Sequence, residues 1–539
     1  MPPSSSPSSR VAPIAWLMLI VAALSGALWW WQMGRPVSLP DAPSARIACV
    51  SYAPFRKPGE TPLNIRAFVS PERIDADLRA LSERFDCVRT YSQGFGLDAV
   101  PAIAQRYGMK VLLGVWIGRD PVANENEIRK GIATIKANPG VLRGVIVGNE
   151  VLLRGEQTPE ALARYINELH DAVRDTHVPV TYADVWEFWL RYPELAKVVD
   201  YITIHILPYW EDEPVEPKDA LQHVADVYAH TKAQFPGRAV MIGETGWPSE
   251  GKQRRGAAAS VVNEARYMRD FLRYAGSVDM PYNVIEAFDQ PWKREQEGTV
   301  GGYWGIFDVH ARPKFSMQGA VVEEPRWLWG WAAGVAGAVL FVLAGWWRRE
   351  WRLRRARIAM ALSGFAAGTA MAWQLRQMSY ACRDAVEWTV SLALCALALI
   401  TTMGLARWIG AQLAGERPRQ APNRRARYAW MFILTLYGLL LVFDGRYRDF
   451  PLGLFWPPAL GYFVATMLDA DKGGMPSPEE RLLACALPLL AAVTVVQDVG
   501  LNPAAWLWMG ANLALGGAVL IRWVHTVRLR AHQAKAAHQ

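Results

Sequence analysis

Residues 144–150 read GVIVGNE, a nearly unbroken apolar run that stops on a polar pair. A strand without polar alternation has both faces buried, as parallel strands do beneath helices. The same cadence returns in IACVSYAP at 47, CVRTYS at 87, MKVLLGVW at 109, VPVTYAD at 178, YITIHILPY at 201, AVMIGETGW at 239 and YNVIEAFD at 282. Between these runs the pattern predicts amphipathic helices. Ser70-Pro71 opens one whose core face is Ile74, Leu78, Leu81 and Phe85, Thr158-Pro159-Glu160 opens another, and Gly108 closes a third. Eight strands over about 275 residues predict an α/β fold, a (β/α)8 TIM barrel at 47–320. An open doubly wound sheet is disfavoured because no glycine-rich phosphate loop follows the first strand.

Outward from the barrel the composition changes. Of 539 residues 52% are hydrophobic, and the surplus lies at the two ends. Ala12 to Met33 is long enough to cross ~30 Å of hydrocarbon and ends on Trp29, Trp30 and Trp31, an interfacial anchor rather than a cleavage site. Residues 1–34 are therefore expected to be an N-terminal transmembrane anchor, and 35–46 a linker. Apolar blocks near 327–347, 358–374, 388–409, 429–443, 452–468, 482–498 and 504–523 predict an all-α multispanning domain over 327–524, followed by a cytoplasmic tail at 525–539. The connection 348–357 holds six arginines and 407–427 six more, whereas the intervening loops carry Arg376 and Arg383, Arg446 and Arg448, or no basic residue. Basic loops stay in the cytoplasm, so both termini are placed inside an inner (cell) membrane and the barrel outside it, in the periplasm.

The formal charge of +8 is spent in those loops, which removes nucleic acid as a partner and leaves the lipid bilayer. The five cysteines show no metal-ligand spacing, and neither a metal nor a cofactor is expected. Cys49 and Cys87 fall on neighbouring strands and read as buried thiols, with a disulfide the alternative in an oxidising compartment.

A polar residue directly after a buried strand lies at the strand's carboxyl end, the rim where barrels collect reacting groups. Glu150 ends the fourth strand and Glu244 the seventh. Two carboxyls facing each other across a barrel mouth suit glycoside cleavage, where one must be protonated to release the leaving oxygen and the other ionised to attack. Either glutamate alone also reads as a strand-end ion pair; both together do so far less readily. Glu286 and Asp289 on the eighth strand rank below them.

The strings VGNEV at 147–151 and IGETGWPSEG at 242–251, with ILPY at 206–209, FDQPWK at 288–293 and WGIFD at 304–308, resemble glycoside hydrolase family 17, here in a membrane-anchored bacterial form. The resemblance covers 47–310. It implies β-1,3-glucanases and glucanosyltransferases, with Glu150 as acid/base, Glu244 as nucleophile and retention of configuration. It further implies that Asn149 binds the sugar 2-hydroxyl, and that Arg89, Tyr91 and Tyr209 hold Glu244 ionised. Rim aromatics include Trp186, Trp189, Trp210, Trp247, Trp292 and Trp304, of which Trp247, Trp292 and Trp304 are the sugar-stacking candidates. His205 and Lys293 are candidate hydrogen-bond partners of the sugar.

Three functions compete. The leading one is a retaining glycosidase or transglycosylase that remodels β-glucan at the outer membrane face during β-glucan synthesis. The alternative is a component of a β-(1,3)/(1,6)-glucan synthase or export complex, in which the barrel binds glucan and a partner membrane glucan synthase polymerises it. A synthase within the chain itself would rest on Asp469-Ala470-Asp471, in a loop too short to build a nucleotide-binding domain.

Overall fold

The computed structural model describes residues 11–346, 352–416, 418, 421–469 and 475–537. Ala470 and Asp471, and residues 348–351 of the arginine-rich connection, lie outside them. The chain divides into two compact units, Val37–Gly251 with Gly256–Val321, and Met1–Pro36 with Lys252–Arg255 and Val322–Gln539.

In the first unit β1 (Val50–Ser51), β2 (Cys87–Arg89), β3 (Lys110–Val115), β4 (Leu142–Asn149), β5 (Val180–Val185), β6 (Ile202–His205) and β7 (Val240–Glu244) form one parallel sheet in sequential order. Residues 282–285 close it. Tyr282 bridges Ile242 and Val284 bridges Val50, both in parallel, with Ser51 N donating to Val284 O at 2.9 Å. The result is a curled parallel sheet that fits the (β/α)8 barrel the repeat predicts, with isolated bridges at 282–285 where the repeat places the eighth strand.

The helices begin and end where local chemistry dictates. Ser70 Oγ accepts from Arg73 N to open Pro71–Ser82, and Thr158 Oγ1 accepts from Ala161 N to open Pro159–Val173. Each such cap contributes about 1 kcal/mol. Gly108, at φ +67°, follows the helix Val100–Arg106 and lets the chain reverse into β3. Phe85, expected on the core face of Pro71–Ser82, lies past its end and forms a bridge through Ile47 instead.

Outward-facing strand residues such as Val111, Val145, Ile204 and Ile242 pack in one large core with Ile74, Leu78, Leu162 and Ile166 of the helices. Inside the barrel Cys49, Cys87, Leu112, Ile146, Ala183 and Met241 form a separate apolar floor. Above it the lining turns polar: Thr181 Oγ1 meets Thr203 Oγ1 at 3.0 Å, and Asn283 Nδ2 donates to Ser51 Oγ at 2.8 Å. The expectation of two free thiols is corrected here. The ladder pairs Val50 with Val88, so Cys49 and Cys87 stand opposite each other with Cα atoms 4.3 Å apart, and they are joined in a disulfide.

The run at 282–289 also departs from a single strand. After 285 the chain leaves the barrel, and Glu286–Phe288 pairs in parallel with Gly305–Phe307. A Cβ at Gly305 would lie 2.1 Å from Asp289 N, so only glycine permits this approach.

The second unit is helical. Its helices are Val11–Met33, Leu328–Ala344, Arg354–Ala381, Ala385–Leu413, Arg424–Phe443, Leu452–Leu468, Pro478–Gln497 and Pro503–Ala537, matching the eight apolar blocks. Among the described residues, five are by length and composition long and apolar enough to cross a membrane, while Leu328–Ala344 and Leu452–Leu468 are shorter apolar helices. Leu328–Ala344 and Arg354–Ala381 touch backbone to backbone, since a Cβ on Gly364 would lie 2.3 Å from Gly337 O.

Candidate active site

Two irregularities in the barrel ladder aim the glutamates. Between Ile146 and Asn149 β4 carries one residue more than β5, and Gly148 takes φ +83° to absorb it. Across β6 and β7, Ile204 pairs with Ile242 but His205 pairs with Glu244, so Gly243 is the extra residue. A Cβ there would sit 2.5 Å from Thr203 Cγ2 and 2.9 Å from His205 Cε1. Bulges re-aim side chains in this way at the rims of barrels. Glu150 itself adopts φ +51°, a conformation costly for a residue with a Cβ.

The outcome is a compact polar cluster. Oxygens of Glu150 and Glu244 and a ring nitrogen of His205 all lie within 4.8 Å of one another. Arg89 donates from Nη1 to Glu244 Oε1 at 3.0 Å and to Gly243 O at 2.9 Å, and from Nη2 to Asn149 Oδ1 at 2.5 Å. Tyr91 donates to Glu244 Oε1 at 2.9 Å. His205 Nε2 lies 3.0 Å from Asn149 Oδ1 and 3.7 Å from Glu244 Oε1. Asn149 Oδ1 is thus engaged on two sides, which leaves its amide nitrogen for a ligand.

The electrostatics separate the two carboxyls. Burial, the negative charge of Glu244 and that of Asp184 push the Glu150 carboxyl well above the usual range, against Arg154 and Arg89. Burial also opposes ionisation of Glu244, but His205, Arg89, Lys293 and the Tyr91 hydroxyl outweigh it and hold that carboxyl below the usual range. Burial pushes His205 down to about 4, so at neutral pH it is uncharged and the close cation is Arg89. Glu150, His205 and Glu244 could by spacing alone ligate a metal ion. The donor set does not suit one: Arg89 already neutralises Glu244, and Asn149 occupies His205 Nε2.

The remaining sequence candidates divide. Trp247 is fully buried and donates from Nε1 to Ala258 O, so it offers no face to a sugar and is corrected to a packing residue. Trp304, 2% exposed, is likewise covered, stacked on Trp210 with ring centroids 6.2 Å apart. Tyr209 is buried edge-on against Trp210, Trp247 and Trp304, so the three aromatics form one wall with it. Trp189 is buried too, its Nε1 donating to Thr203 O. Trp292 stays half-buried, with Nε1 on Gln290 Oε1 at 2.8 Å. Lys293 is paired with Glu286, whose carboxyl burial pushes up to about 7, and its charge reaches Glu244. Asp289 anchors Lys314 at 2.9 Å and Gly305 N at 3.0 Å, a structural task.

Sequence reasoning missed Asp184, Trp116 and Arg154. Asp184 ends β5 and carried the same strand-end signal as the glutamates; it accepts from Leu152 N at 3.2 Å and from the Tyr182 hydroxyl, steadying the turn after Glu150. Trp116 ends the third strand run. Arg154 lies in the turn itself, where no periodicity speaks.

A sequence profile for the BtgE/BtgC glycoside hydrolase domain matches residues 49–305. A glucan 1,3-beta-glucosidase of Arthroderma benhamiae is 31% identical over 265 residues, which is 45% of this chain and 83% of that protein. A putative glucan endo-1,3-beta-glucosidase btgC of Aspergillus niger is 27% identical across 48% of this chain, which spans about two fifths (41%) of that relative's length. Among solved structures, the glycoside hydrolase family 17 beta-1,3-glucanosyltransferase of Rhizomucor miehei is 27% identical, covers 50% of this chain and 97% of its own, and has a TM-score of 0.45. These relatives are fungal, and their matches span about half of this chain. With that coverage of the Arthroderma protein and the matched profile, the chain belongs to the BtgE/BtgC glycoside hydrolase domain family, and its barrel is a glycoside hydrolase.

Proposed function

We propose that the barrel is a retaining β-1,3-glucan hydrolase and glucanosyltransferase in which Glu150 is the acid/base and Glu244 the nucleophile. The observation that carries this is the approach of their oxygens to within 4.8 Å, with one carboxyl kept protonated and the other ionised. Retaining enzymes hold their carboxyls about 5–5.5 Å apart, whereas inverting ones need ~6.5–9.5 Å to admit a water. The names of the relatives support the substrate class. Asn149 is oriented to meet the sugar 2-hydroxyl through its amide nitrogen.

The helical unit anchors this enzyme in a membrane, with the barrel on the extracytoplasmic side and both termini in the cytoplasm. The arginine-rich connections support that orientation, and the Cys49–Cys87 disulfide fits an oxidising compartment. So many apolar helices exceed the needs of an anchored scavenger, which favours remodelling of glucan as it emerges from a membrane synthase.

Incubating the purified chain in detergent with laminarin-type oligosaccharides tests the reading. Longer or branched products establish transfer, and shorter ones alone establish hydrolysis. Unchanged product formation by Glu244→Gln would sink the assignment.

A further inference from the structure

Arg154, four residues beyond Glu150, lies with its guanidinium carbon 4.4 Å from the Trp116 ring centroid. Its Nη2 is held by Glu156 at 2.8 Å, and its Nη1 stops 3.9 Å from Glu150 Oε2. That distance is an ion pair without a hydrogen bond. The aromatic face and Glu156 therefore fix the cation near the proton donor, while the donor's own oxygen stays free. The other groups acting on Glu150 come from three barrel strands: Glu244 of β7, Asp184 of β5 and Arg89 of β2. His205 of β6, close by, is uncharged at neutral pH.

We infer that Arg154, pinned by Trp116 and Glu156, is the positioning residue that lets Glu150 change from proton donor to proton acceptor between the two halves of the reaction. This rests on the retaining reading of the pair. In the first half the Glu150 proton passes to the glycosidic oxygen as its bond to the anomeric carbon breaks and Glu244 bonds to that carbon. In the second half the Glu150 carboxylate takes a proton from water or a sugar hydroxyl, as that oxygen bonds to the anomeric carbon and Glu244 leaves. Burial and the charges of Glu244 and Asp184 favour the protonated form in the first half; once Glu244 is bonded to the sugar its charge is gone, but burial and Asp184 still oppose the carboxylate that the second half needs. A cation at 3.9 Å restores the balance, and by making no hydrogen bond it leaves Oε2 open to the proton in transit.

The test is the pH dependence of kcat/KM and kcat for Arg154→Gln in the full chain, on β-1,3-linked oligoglucosides and on an aryl oligoglucoside with a good leaving group. The alkaline limb of kcat/KM is expected to move up by about one pH unit, because losing the cation raises the pKa of the acid. At neutral pH kcat is expected to fall about tenfold, the equivalent of that unit, with a burst of aryl release as the second half becomes limiting. Arg154→Lys should restore most of the limb, and Trp116→Leu, which frees the stack, should move it in the same direction as Arg154→Gln. A loss equal at every pH with the limb unmoved, or unaltered kinetics, would overturn the inference. Glu150→Gln serves as the control: if the alkaline limb survives in it, the assignment of Glu150 fails rather than that of Arg154.

Discussion

Arg89 and Glu244 form an ion pair at 3.0 Å with side chains only 1% and 7% exposed, so neither charge has water to fall back on. The same guanidinium holds Asn149, and a single residue on β2 thereby fixes groups on β4 and β7.

Replacing Arg89 with Leu strands a buried carboxylate. Stability should fall by about 3–5 kcal/mol, the usual cost of breaking one side of a buried pair. Turnover should fall by about 10²–10³ or more, since Glu244 loses the charge that keeps it ionised. Thermal unfolding and kcat/KM measured on one preparation check both, and wild-type turnover would remove Arg89 from the site.

Tyr91→Phe deletes one hydrogen bond to a charged acceptor, worth about 1.5–3 kcal/mol. With that bond gone the Glu244 carboxyl rises toward its ordinary value, so the acid limb of kcat/KM should shift to higher pH. An unmoved acid limb would show that Tyr91 only packs.

The pair predicts a bell-shaped profile. Activity should rise as pH passes the lowered Glu244 value and fall as it passes the raised Glu150 value, so both limbs belong to the site. Glu150→Gln should erase the alkaline limb while sparing kcat/KM, though not kcat, on substrates with good leaving groups, since the second half still needs its base.

The disulfide closes a loop between cysteines 38 residues apart, and loop entropy assigns it about 4 kcal/mol. The double replacement of Cys49 and Cys87 by Ser should lower the unfolding temperature while leaving kcat at 25 °C unchanged. A matching loss of kcat would mean that the floor of the barrel also positions the rim.

Gly305→Ala places a Cβ 2.1 Å from Asp289 N. Relieving that clash must separate Glu286–Phe288 from Gly305–Phe307, at a cost of about 1–3 kcal/mol or more. Limited proteolysis at 286–307 reads the opening, and wild-type resistance there would contradict the close approach.

The barrel was legible because its signal is local: each buried run announces itself, and the residue after it announces the rim. Glu150 and Glu244 came from that rule, and Arg89 and Tyr91 from the family resemblance. What escaped depends on register or burial. No spacing shows that Cys49 and Cys87 stand face to face, because that follows from how β1 pairs with β2. Trp247 and Trp292 look alike as rim tryptophans, yet one is sealed beneath Tyr209 and the other is half open. The split of 282–289 turned on a glycine sixteen residues beyond Asp289, and Arg154 matters through a stack that no sequence pattern encodes.

The left-handed backbone at Glu150 puts durability and chemistry at odds. Glycine would occupy that spot at ease, relieving about 1 kcal/mol of conformational cost. Selection for robustness alone would therefore favour discarding the proton donor, and a firmer but silent Glu150→Gly protein would mark what the fold forgoes to keep its acid in place.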